Sequence, residues 1–359
     1  MAIVASGTSV GQCIQIVAMP LVAKLYGPTE FGVLAVIVAV VGIIQVIAAL
    51  RYDAAVLIAP SDEVERDLLI VCLCCIAAVT ALTGIGAWAY MTYPIFGLQV
   101  PAHSLLYIPL CVGAIGLYNT FHSAAVRRQD LVAIARTRMW QGGSTVGLQL
   151  AGAALAHPSA GLLIAYLGGQ CTGVLSLARK VFSGPAPAIS WSRIRATALQ
   201  FSDYPTISAG SGLLNIASLH VPGLALASFF GLEVAAWFSL GQRILMLPLT
   251  FVGLAVAQVY NGRAAIMARE DTAALKTLFV KTSRGLFITG CLTIIPVACL
   301  APYAVNIAMG PAWAEAAVYI VVLSPALIAQ FVVSPVSGTL AIKRRLGRQA
   351  ALDAVRHVA

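Results

Sequence analysis

The chain has 359 residues, of which 60% are hydrophobic and only 10% are charged, and its formal net charge at pH 7 is +9. Its mean hydropathy is +0.92. Soluble domains carry roughly 25% charged residues, so this composition excludes a soluble globular protein and indicates an integral membrane protein. We expect no nucleic-acid partner, because the distribution of the basic residues has a topological explanation.

Apolar runs that are long enough to cross a bilayer recur along the whole chain. A bilayer core about 30 Å thick needs about 20 helical residues. We therefore predict an all-α fold with ten spans, at residues 3–23, 32–50 (or to 58), 68–90, 105–126, 139–156, 159–178, 204–228, 233–258, 285–308 and 315–341. The first run lacks the basic segment and the cleavage site of a signal peptide, so we expect it to stay in the protein.

The Lys and Arg residues alternate between the loops that join these spans. One set of loops holds 20 of the 22 basic residues, including Arg136 and Arg138, which we place in the loop before the fifth span. The opposite loops hold only Lys24, and Arg243 lies within a span. Since basic residues concentrate on the cytoplasmic side of membrane proteins, both termini are predicted to be cytoplasmic.

The eight cysteines all lie inside apolar runs. Free cysteine packs as a small hydrophobic residue. The cluster Cys72-Leu-Cys74-Cys75 lacks the second cysteine pair or the histidines that a zinc site adds. We therefore expect no metal and no cofactor.

A polar stretch, FSGPAPAISWSRIRATALQFSDYP at 182–205, separates the first six predicted spans from the last four. We predict a six-helix N-terminal lobe at 1–180, a cytoplasmic linker at 181–203, a four-helix C-terminal lobe at 204–341 and a basic cytoplasmic tail at 342–359. The stretches PLVAKLYGPTEFGVLAV, from Pro20, and PGLALASFFGLEVAAWF, from Pro222, are weakly similar. This favours a parallel repeat, with chance similarity between apolar hairpins as the alternative.

Five stretches carry a family resemblance: GTSVGQCIQIVAMPLVAKLYGPTEFGVLAV, ALRYDAAVLIAPSDEVERDLL, FSDYPTIS, GLEVAAWFSLGQRILMLP and GPAWAEAAVYIVVLSPALIAQFVVSP. In order and spacing they resemble the polysaccharide transporter family, the flippases of the multidrug/oligosaccharidyl-lipid/polysaccharide exporter superfamily. The resemblance implies two lobes around a central cavity. That family usually has twelve or more helices, so we expect this chain to lack the last two, as a shortened or truncated member.

The resemblance also implies a function. It indicates a flippase that carries a polyprenyl-pyrophosphate-linked oligosaccharide, an O-antigen, capsule or exopolysaccharide unit, across the bacterial inner membrane by alternating access. The implied partners are this lipid-linked oligosaccharide, membrane lipids and, as further candidates, the polysaccharide polymerase and chain-length machinery. The sequence contains no catalytic triad pattern and no GxxxxGK[ST] phosphate loop, so we expect gradient-driven transport and no enzymatic activity.

Arg243 is the first candidate site residue, because it lies near the middle of an apolar run. A charged side chain at mid-bilayer is costly and normally faces a watery cavity or a partner. A guanidinium binds phosphate oxygens with a fixed set of donors, which suits a pyrophosphate cargo. A structural contact between helices is the alternative.

Arg51 and Asp53 form a second group. If the second span extends to residue 58, Arg51 lies at the inner mouth of the cavity, while Asp53 points elsewhere and needs its own partner. Ordinary snorkelling of Arg51 is the alternative. Asp53 is a coupling or gating candidate together with Glu30, Glu233 and Asp203. Asp203 is also expected to cap the seventh span, and Glu30 and Glu233 lie near helix N-termini, where negative charge is favoured.

Polar side chains within the spans complete the predicted substrate site. They are Gln12, Gln15, Asn119 and Asn215, which offer hydrogen bonds to sugar hydroxyls. Gln12 and Gln15 lie three residues apart on one helix face, as do Asn119 and His122. Hydrogen bonds between helices explain the same pattern.

Three other functions stay open. A drug/cation antiporter of the related extrusion family needs carboxylates in its cavity, whereas the deep charge here is positive. A membrane-embedded glycosyltransferase needs catalytic residues on a large outer loop, and the longest one, MTYPIFGLQVPAHS, holds only His103 as an ionisable group. A truncated chain can also be inactive. The sequence does not determine the sugar, the coupling ion or the oligomeric state.

Overall fold

A computed structural model of the chain describes residues 2–93, 100–154, 158–183, 190–248, 252–270 and 272–337, and these residues contain helices and no strand. The helices are α1 (Ala2–Leu25), α2 (Pro28–Ala48), α3 (Tyr52–Val56), α4 (Asp62–Thr92), α5 (Ala102–Leu105), α6 (Tyr107–Arg127), α7 (Leu131–Gly152), α8 (Pro158–Cys171), α9 (Val174–Val181), α10 (Trp191–Gln200), α11 (Ala209–Phe230), α12 (Leu232–Pro248), α13 (Leu254–Glu270), α14 (Thr272–Met309) and α15 (Ala314–Val336). A π-helical turn, Tyr204–Ser208, precedes α11, and a 3-10 turn, Pro311–Trp313, precedes α15.

Seven helical segments within the described residues are long and apolar enough to cross a membrane: Pro28–Ala48, Asp62–Thr92, Ala102–Arg127, Pro158–Val181, Tyr204–Phe230, Ala274–Met309 and Pro311–Val336. The all-helical membrane fold is therefore confirmed. The remaining predicted spans lie on α1, on α7 and on α12 with α13. In α1 the apolar part, Val10–Leu25, is short. The count of ten spans stays a prediction.

The second span does not continue to residue 58, and that extension was wrong. Helix α2 ends at Ala48, and α3 begins only at Tyr52. Between them Leu50 and Arg51 adopt left-handed backbone conformations, with φ of 47° and 63°. Residues in this conformation interrupt an α-helix. Arg51 therefore lies at a break between two helices.

Helix α7 begins earlier than predicted, because Asp130 caps it. The Asp130 Oδ1 accepts a hydrogen bond from the Ala133 backbone N–H at 3.1 Å. The other carboxylate oxygen accepts from Lys180 Nζ at 2.7 Å. Arg136 and Arg138 were predicted to lie in a loop, but both belong to α7. Arg138 lies about 10 Å along the axis from the start of the helix.

The chain forms two compact units, Met1–Ala235 and Ala236–Ala359. In the first, α1 packs on α7, α7 on α8, α4 on α6, and α11 on α2. The unit therefore extends past the predicted linker at 181–203, which includes α10. The division into six-helix and four-helix lobes stays a prediction. Residues 184–189 of the linker and the predicted tail at 342–359 lie outside the described residues.

The second unit is built on α14 and α15, which pack along each other and against α13. Tyr260, Leu275, Leu286 and Phe331 are buried at the centre of this packing. Trp237 on α12 donates a hydrogen bond from Nε1 to the carbonyl of Ala312 at 3.2 Å. The start of α12 and the turn before α15 are thereby joined within the unit.

A buried carboxylate joins the start of α4 to the turn between α6 and α7. Glu65 is 0% exposed. Its Oε2 pairs with Nη1 of Arg127, and its Oε1 lies 2.8 Å from Nη2 of Arg128. Arg127 also pairs with Asp62 at 2.8 Å, and Arg128 donates to the carbonyl of Val181 at 3.0 Å. The charges of both arginines are thus neutralised inside the fold.

A second buried carboxylate lies two residues further along α4. Asp67 is 1% exposed, and Arg193 of α10 donates to it from Nε at 2.7 Å and from Nη2 at 3.2 Å. This two-point contact fixes the orientation of α10 on α4, because both donors lie in the guanidinium plane. The part of the predicted linker that contains α10 is therefore packed onto the first unit.

Replacing Glu65 tests how much its ion pairs with Arg127 and Arg128 stabilise the protein. We expect Glu65→Gln to destabilise the protein by about 3–5 kcal/mol, because it removes the countercharge of two partly buried guanidinium groups. Thermal unfolding of the purified protein in a mild detergent, followed by tryptophan fluorescence, measures the effect. Glu63→Gln is the matched control, since Glu63 is exposed in the same helical turn. Equal melting temperatures for the two variants would contradict this account.

Removing the cap of α7 is expected to have a smaller and pH-dependent effect. The hydrogen bond from Lys180, and after it the one from the Ala133 backbone, lower the pKa of Asp130. The stabilisation is therefore present above the ordinary pKa of an aspartate and is lost as the pH falls through the lowered value. We expect Asp130→Ala to cost about 1 kcal/mol at pH 7 and nothing in strong acid. Asp203→Ala is the control, and a pH-independent deficit for Asp130→Ala would argue against this assignment.

Candidate functional site

Arg51 lies at the break between α2 and α3, next to α11. Its side chain is half-buried, and its Nε is buried without a hydrogen-bond partner. A Cβ atom on Gly212 of α11 would lie 3.8 Å from that Nε and 3.9 Å from Cζ. Gly212 therefore lies beside the guanidinium group of Arg51, near the contact between α2 and α11.

Asp53 is half-buried two residues further on, in α3. Burial raises the pKa of its carboxyl group, and the positive charge of Arg51 only partly opposes this shift. Among the described residues Asp53 forms no ion pair. The two residues thus influence each other through space without direct pairing, and Asp53 is easier to protonate than an ordinary aspartate.

Helices α2 and α11 each carry a further buried or half-buried polar group. Gln45 of α2 has a buried Oε1 without a hydrogen-bond partner. The His220 imidazole of α11 lies against Gly42, where a Cβ atom would be only 2.5 Å from Nε2. Asn215, a predicted sugar contact, is exposed on α11. Arg51 and Gln45 thus bring unsatisfied hydrogen-bonding atoms to one helix pair.

The predicted site residues of α1 lie beside α7. Gln12 is half-buried, and its Oε1 is buried without a hydrogen-bond partner. Gln15 is half-buried as well. The two helices approach closely, since a Cβ atom on Gly11 would lie 2.6 Å from the carbonyl oxygen of Arg138. Gln12 therefore neighbours the part of α7 that carries Arg138.

Arg138 was not among the predicted site residues, and the structure places it against an aromatic ring. Its Cζ lies 5.0 Å from the centroid of the Tyr118 ring on α6, and the His122 ring lies 5.8 Å from the same ring. Asn119, a predicted sugar contact, is half-buried next to them in the sequence. The signal that could have found Arg138 is Asp130, a helix-capping residue that is followed by eleven residues without glycine or proline.

Arg243 lies within α12 and is exposed, whereas Gly241 and Leu245 on either side of it are buried. It belongs to the second unit, whereas Arg51 and Arg138 belong to the first. Its role in substrate contact stays a prediction.

The three acidic candidates at helix ends differ in their contacts. Glu233, in the first turn of α12, accepts a hydrogen bond from Thr29 Oγ1 at 3.0 Å. Glu30 is half-buried in the first turn of α2. Asp203 is exposed, has helical backbone angles and makes no capping hydrogen bond. The predicted capping role of Asp203 was wrong, because the helical path already includes it.

An apolar cavity of about 800 Å³ lies within the first unit. Its walls come from α2, α4 and α11, and they include Ile37, Val40, Ile44, Leu82 and Leu224. The few polar groups in its lining are hydroxyls, such as that of Ser228. This lining suits a hydrocarbon chain, since a sugar would lose its hydrogen bonds to water there.

Solved transporter structures share this fold. An inward-facing multidrug resistance MATE family transporter of the MOP superfamily matches with a TM-score of 0.70 at 16% identity, over 98% of this chain and 88% of its own. A MATE transporter in complex with MaD5 matches with a TM-score of 0.59 at 15% identity, over 98% and 84%. The Vibrio cholerae MATE transporter VcmN matches with a TM-score of 0.53 at 14% identity, over 99% of this chain and 88% of its own. Comparison with curated protein sequences gives no significant match.

At these identities the likeness shows the fold alone, and that fold together with the apolar helices defines a multi-pass membrane protein. The sequence profile of a family described as polysaccharide biosynthesis protein matches residues 21–318. The chain therefore belongs to the polysaccharide biosynthesis protein family. This confirms the resemblance to polysaccharide transporters that its sequence motifs carry.

The raised pKa of Asp53 predicts a pH-dependent stability. Because the folded-state pKa lies above the ordinary value, the ionised carboxylate weakens the fold. This penalty grows as the pH rises from the ordinary pKa to the raised one, and it is complete above the raised pKa. We expect Asp53→Asn to melt at a higher temperature than the wild type at pH 7.5, with a smaller difference at pH 5. Asp203→Asn is the exposed control. A lower melting temperature for Asp53→Asn at pH 7.5 would contradict the assigned burial penalty.

Proposed function

We propose that this protein is a flippase that moves a polyprenyl-pyrophosphate-linked oligosaccharide, such as an O-antigen, capsule or exopolysaccharide unit, across the bacterial inner membrane. It works by alternating access, with both termini cytoplasmic, and it catalyses no chemical reaction on its cargo. Family membership supports a role in polysaccharide export. The observation that supports an anionic cargo is that the buried Nε of Arg51 has no hydrogen-bond partner.

Arg51 is the one charged residue with a buried, unpartnered side-chain nitrogen among the residues that the structure describes. A buried donor without a partner costs about 1–3 kcal/mol, and more when the group is charged. A pyrophosphate oxygen would remove this cost by accepting a short, charge-assisted hydrogen bond. The unpartnered donor therefore favours an anion over a neutral or cationic molecule.

Arg243 supplies the second cation of the proposal. It is exposed within an apolar helix, where a charge normally serves a polar path or a partner. We assign it a contact with the pyrophosphate at another stage of transport. Gln12, Gln15, Asn119 and Asn215 are proposed to bind sugar hydroxyls, and the apolar cavity of the first unit suits the hydrocarbon part of the cargo.

The acidic residues support the same choice of cargo. Glu30, Glu233 and Glu315 lie in the first turns of their helices. Glu65 and Asp67 both form ion pairs with arginines. The described spans thus present few carboxylates to a cationic drug, while Arg51 keeps a donor unused.

A cation-coupled multidrug antiporter is the second candidate, and Asp53 is the observation that favours it. This half-buried carboxyl group has a raised pKa and no ion-pair partner among the described residues. It has the properties of a group that exchanges protons during transport. The same property would allow Asp53 to couple a flippase to a proton gradient, so the cargo must be tested directly.

Complementation of a flippase-deficient bacterial strain tests the cargo assignment. We expect Arg51→Ala and Arg243→Ala each to lower transport about 10- to 100-fold at equal protein level, because each removes a charge-assisted hydrogen bond. Arg51→Lys should recover only part of the activity, since an ammonium group lacks the planar donors of a guanidinium. Arg136→Ala is the matched control, because Arg136 is exposed in the same unit.

The in vitro form of the experiment separates the two candidate functions. Proteoliposomes containing the wild type should translocate a fluorescent prenyl-pyrophosphate-linked sugar and should not couple a cationic dye to proton flux. Full complementation by both alanine variants, or dye-dependent proton flux without lipid translocation, would reject the flippase assignment.

A further inference from the structure

A cluster of side chains at the contact between α6 and α7 is not used by the function proposed above. It consists of Arg138 and Gln141 on α7 and Tyr118 on α6. Tyr118 is 1% exposed, and its hydroxyl lies 3.4 Å from Oγ1 of Thr137. The ring is therefore held in one position, and it forms a fixed surface for the arginine.

The guanidinium of Arg138 lies over that ring, with Cζ 5.0 Å from the centroid. A cation is attracted to the face of an aromatic ring, and this attraction holds the side chain without consuming its N–H donors. The side chain is half-buried. Arg138 is thus kept in place by a contact that leaves most of its hydrogen-bonding capacity available.

Arg138 also differs from its basic neighbours in its electrostatic partners. Arg127, Arg128 and Arg193 each pair with a buried carboxylate. Among the residues described for this chain, no carboxylate pairs with Arg138. A partly buried guanidinium without a countercharge attracts an anion, because the protein supplies none.

Gln141 adds a second donor at the same place. It is 7% exposed, and its Oε1 accepts a long hydrogen bond of 3.4 Å from Nη1 of Arg138. Its Nε2 is buried and has no partner. Since Nε2 and Oε1 belong to one amide group, the unused donor lies beside the guanidinium. The buried Nε2 donor of Gln141 and the guanidinium of Arg138 therefore lie next to each other.

We propose that Arg138 and Gln141, supported by Tyr118, form a phosphate-binding site inside the first unit. It lies about 10 Å along α7 from the capped end of that helix. The inference rests on the proposed function for the source of the phosphate, which is the pyrophosphate of the lipid-linked cargo. Arg138 and Gln141 bind an oxygen of that group, and Tyr118 positions the guanidinium.

Binding of farnesyl pyrophosphate to the purified full-length protein in a neutral detergent tests the site by isothermal titration calorimetry. We expect Arg138→Gln to weaken binding at least tenfold and Gln141→Leu to weaken it about threefold to tenfold. Arg136→Gln, on the same helix but exposed, is the matched control and should bind like the wild type. Unchanged affinity in both Arg138→Gln and Gln141→Leu would overturn the proposal.

Gln141→Leu keeps the test valid if Arg138→Gln does not fold. It replaces a buried, unpartnered amide by an apolar group of similar size, so the protein should be as stable as the wild type or more stable. A purely structural role would not produce normal or raised stability together with weaker binding. If Gln141→Leu bound farnesyl pyrophosphate with the affinity of the wild type, this result would count against the site.

Two further experiments distinguish a lipid headgroup from the cargo as the source of the phosphate. They also distinguish a failure of this site from a failure of the flippase function. Nanodiscs of phosphatidylglycerol and of phosphatidylcholine report binding of a lipid headgroup, and an effect of Arg138→Gln confined to phosphatidylglycerol would overturn the assignment to cargo. Loss of farnesyl pyrophosphate binding in Arg51→Ala alone would leave the flippase function standing and reject this site. Absence of binding in the wild type would reject both.

Discussion

The buried carboxylate of Glu65 is the constraint on which the first unit depends. A fully buried carboxylate is tolerated only when it is paired and hydrogen-bonded, because the protein interior solvates charge poorly. Arg127 and Arg128 meet this requirement together, and their remaining donors reach the carbonyls of Ala59 and Val181. The start of α4, the turn between α6 and α7 and the end of α9 are thereby joined at one charge.

This pairing decides which cations remain for function. Arg127, Arg128 and Arg193 are neutralised by carboxylates of α4. Arg51 retains a buried donor without a partner, and Arg138 lies on an aromatic ring without a carboxylate among the described residues. The number of basic residues therefore says little about cargo. A phosphate is favoured by the guanidinium groups that have no carboxylate partner, and not by those that are paired.

Hydropathy predicted the helical membrane fold, and sequence motifs predicted the family, yet neither predicted the local details of the candidate site. The break after α2 depends on left-handed conformations at Leu50 and Arg51, neither of which is a glycine that would mark it. The start of α7 was placed too late, because charged residues were assigned to a loop although Asp130 caps the helix before them. Asp203 was expected to cap, but the backbone is already helical there.

The sequence by itself determined that the chain lies in a membrane, because runs of apolar residues of bilayer length depend on composition alone. It also identified Arg51 and Arg243 as candidate site residues, since a charged side chain within or next to an apolar span normally faces water or a partner. Only the tertiary structure decided which charged groups neutralise one another, since Glu65 and Arg127 are 62 residues apart in the chain. It also brought Tyr118, Arg138 and Gln141 together, because the relative rotation of α6 and α7 is set by helix packing and not by either helix alone.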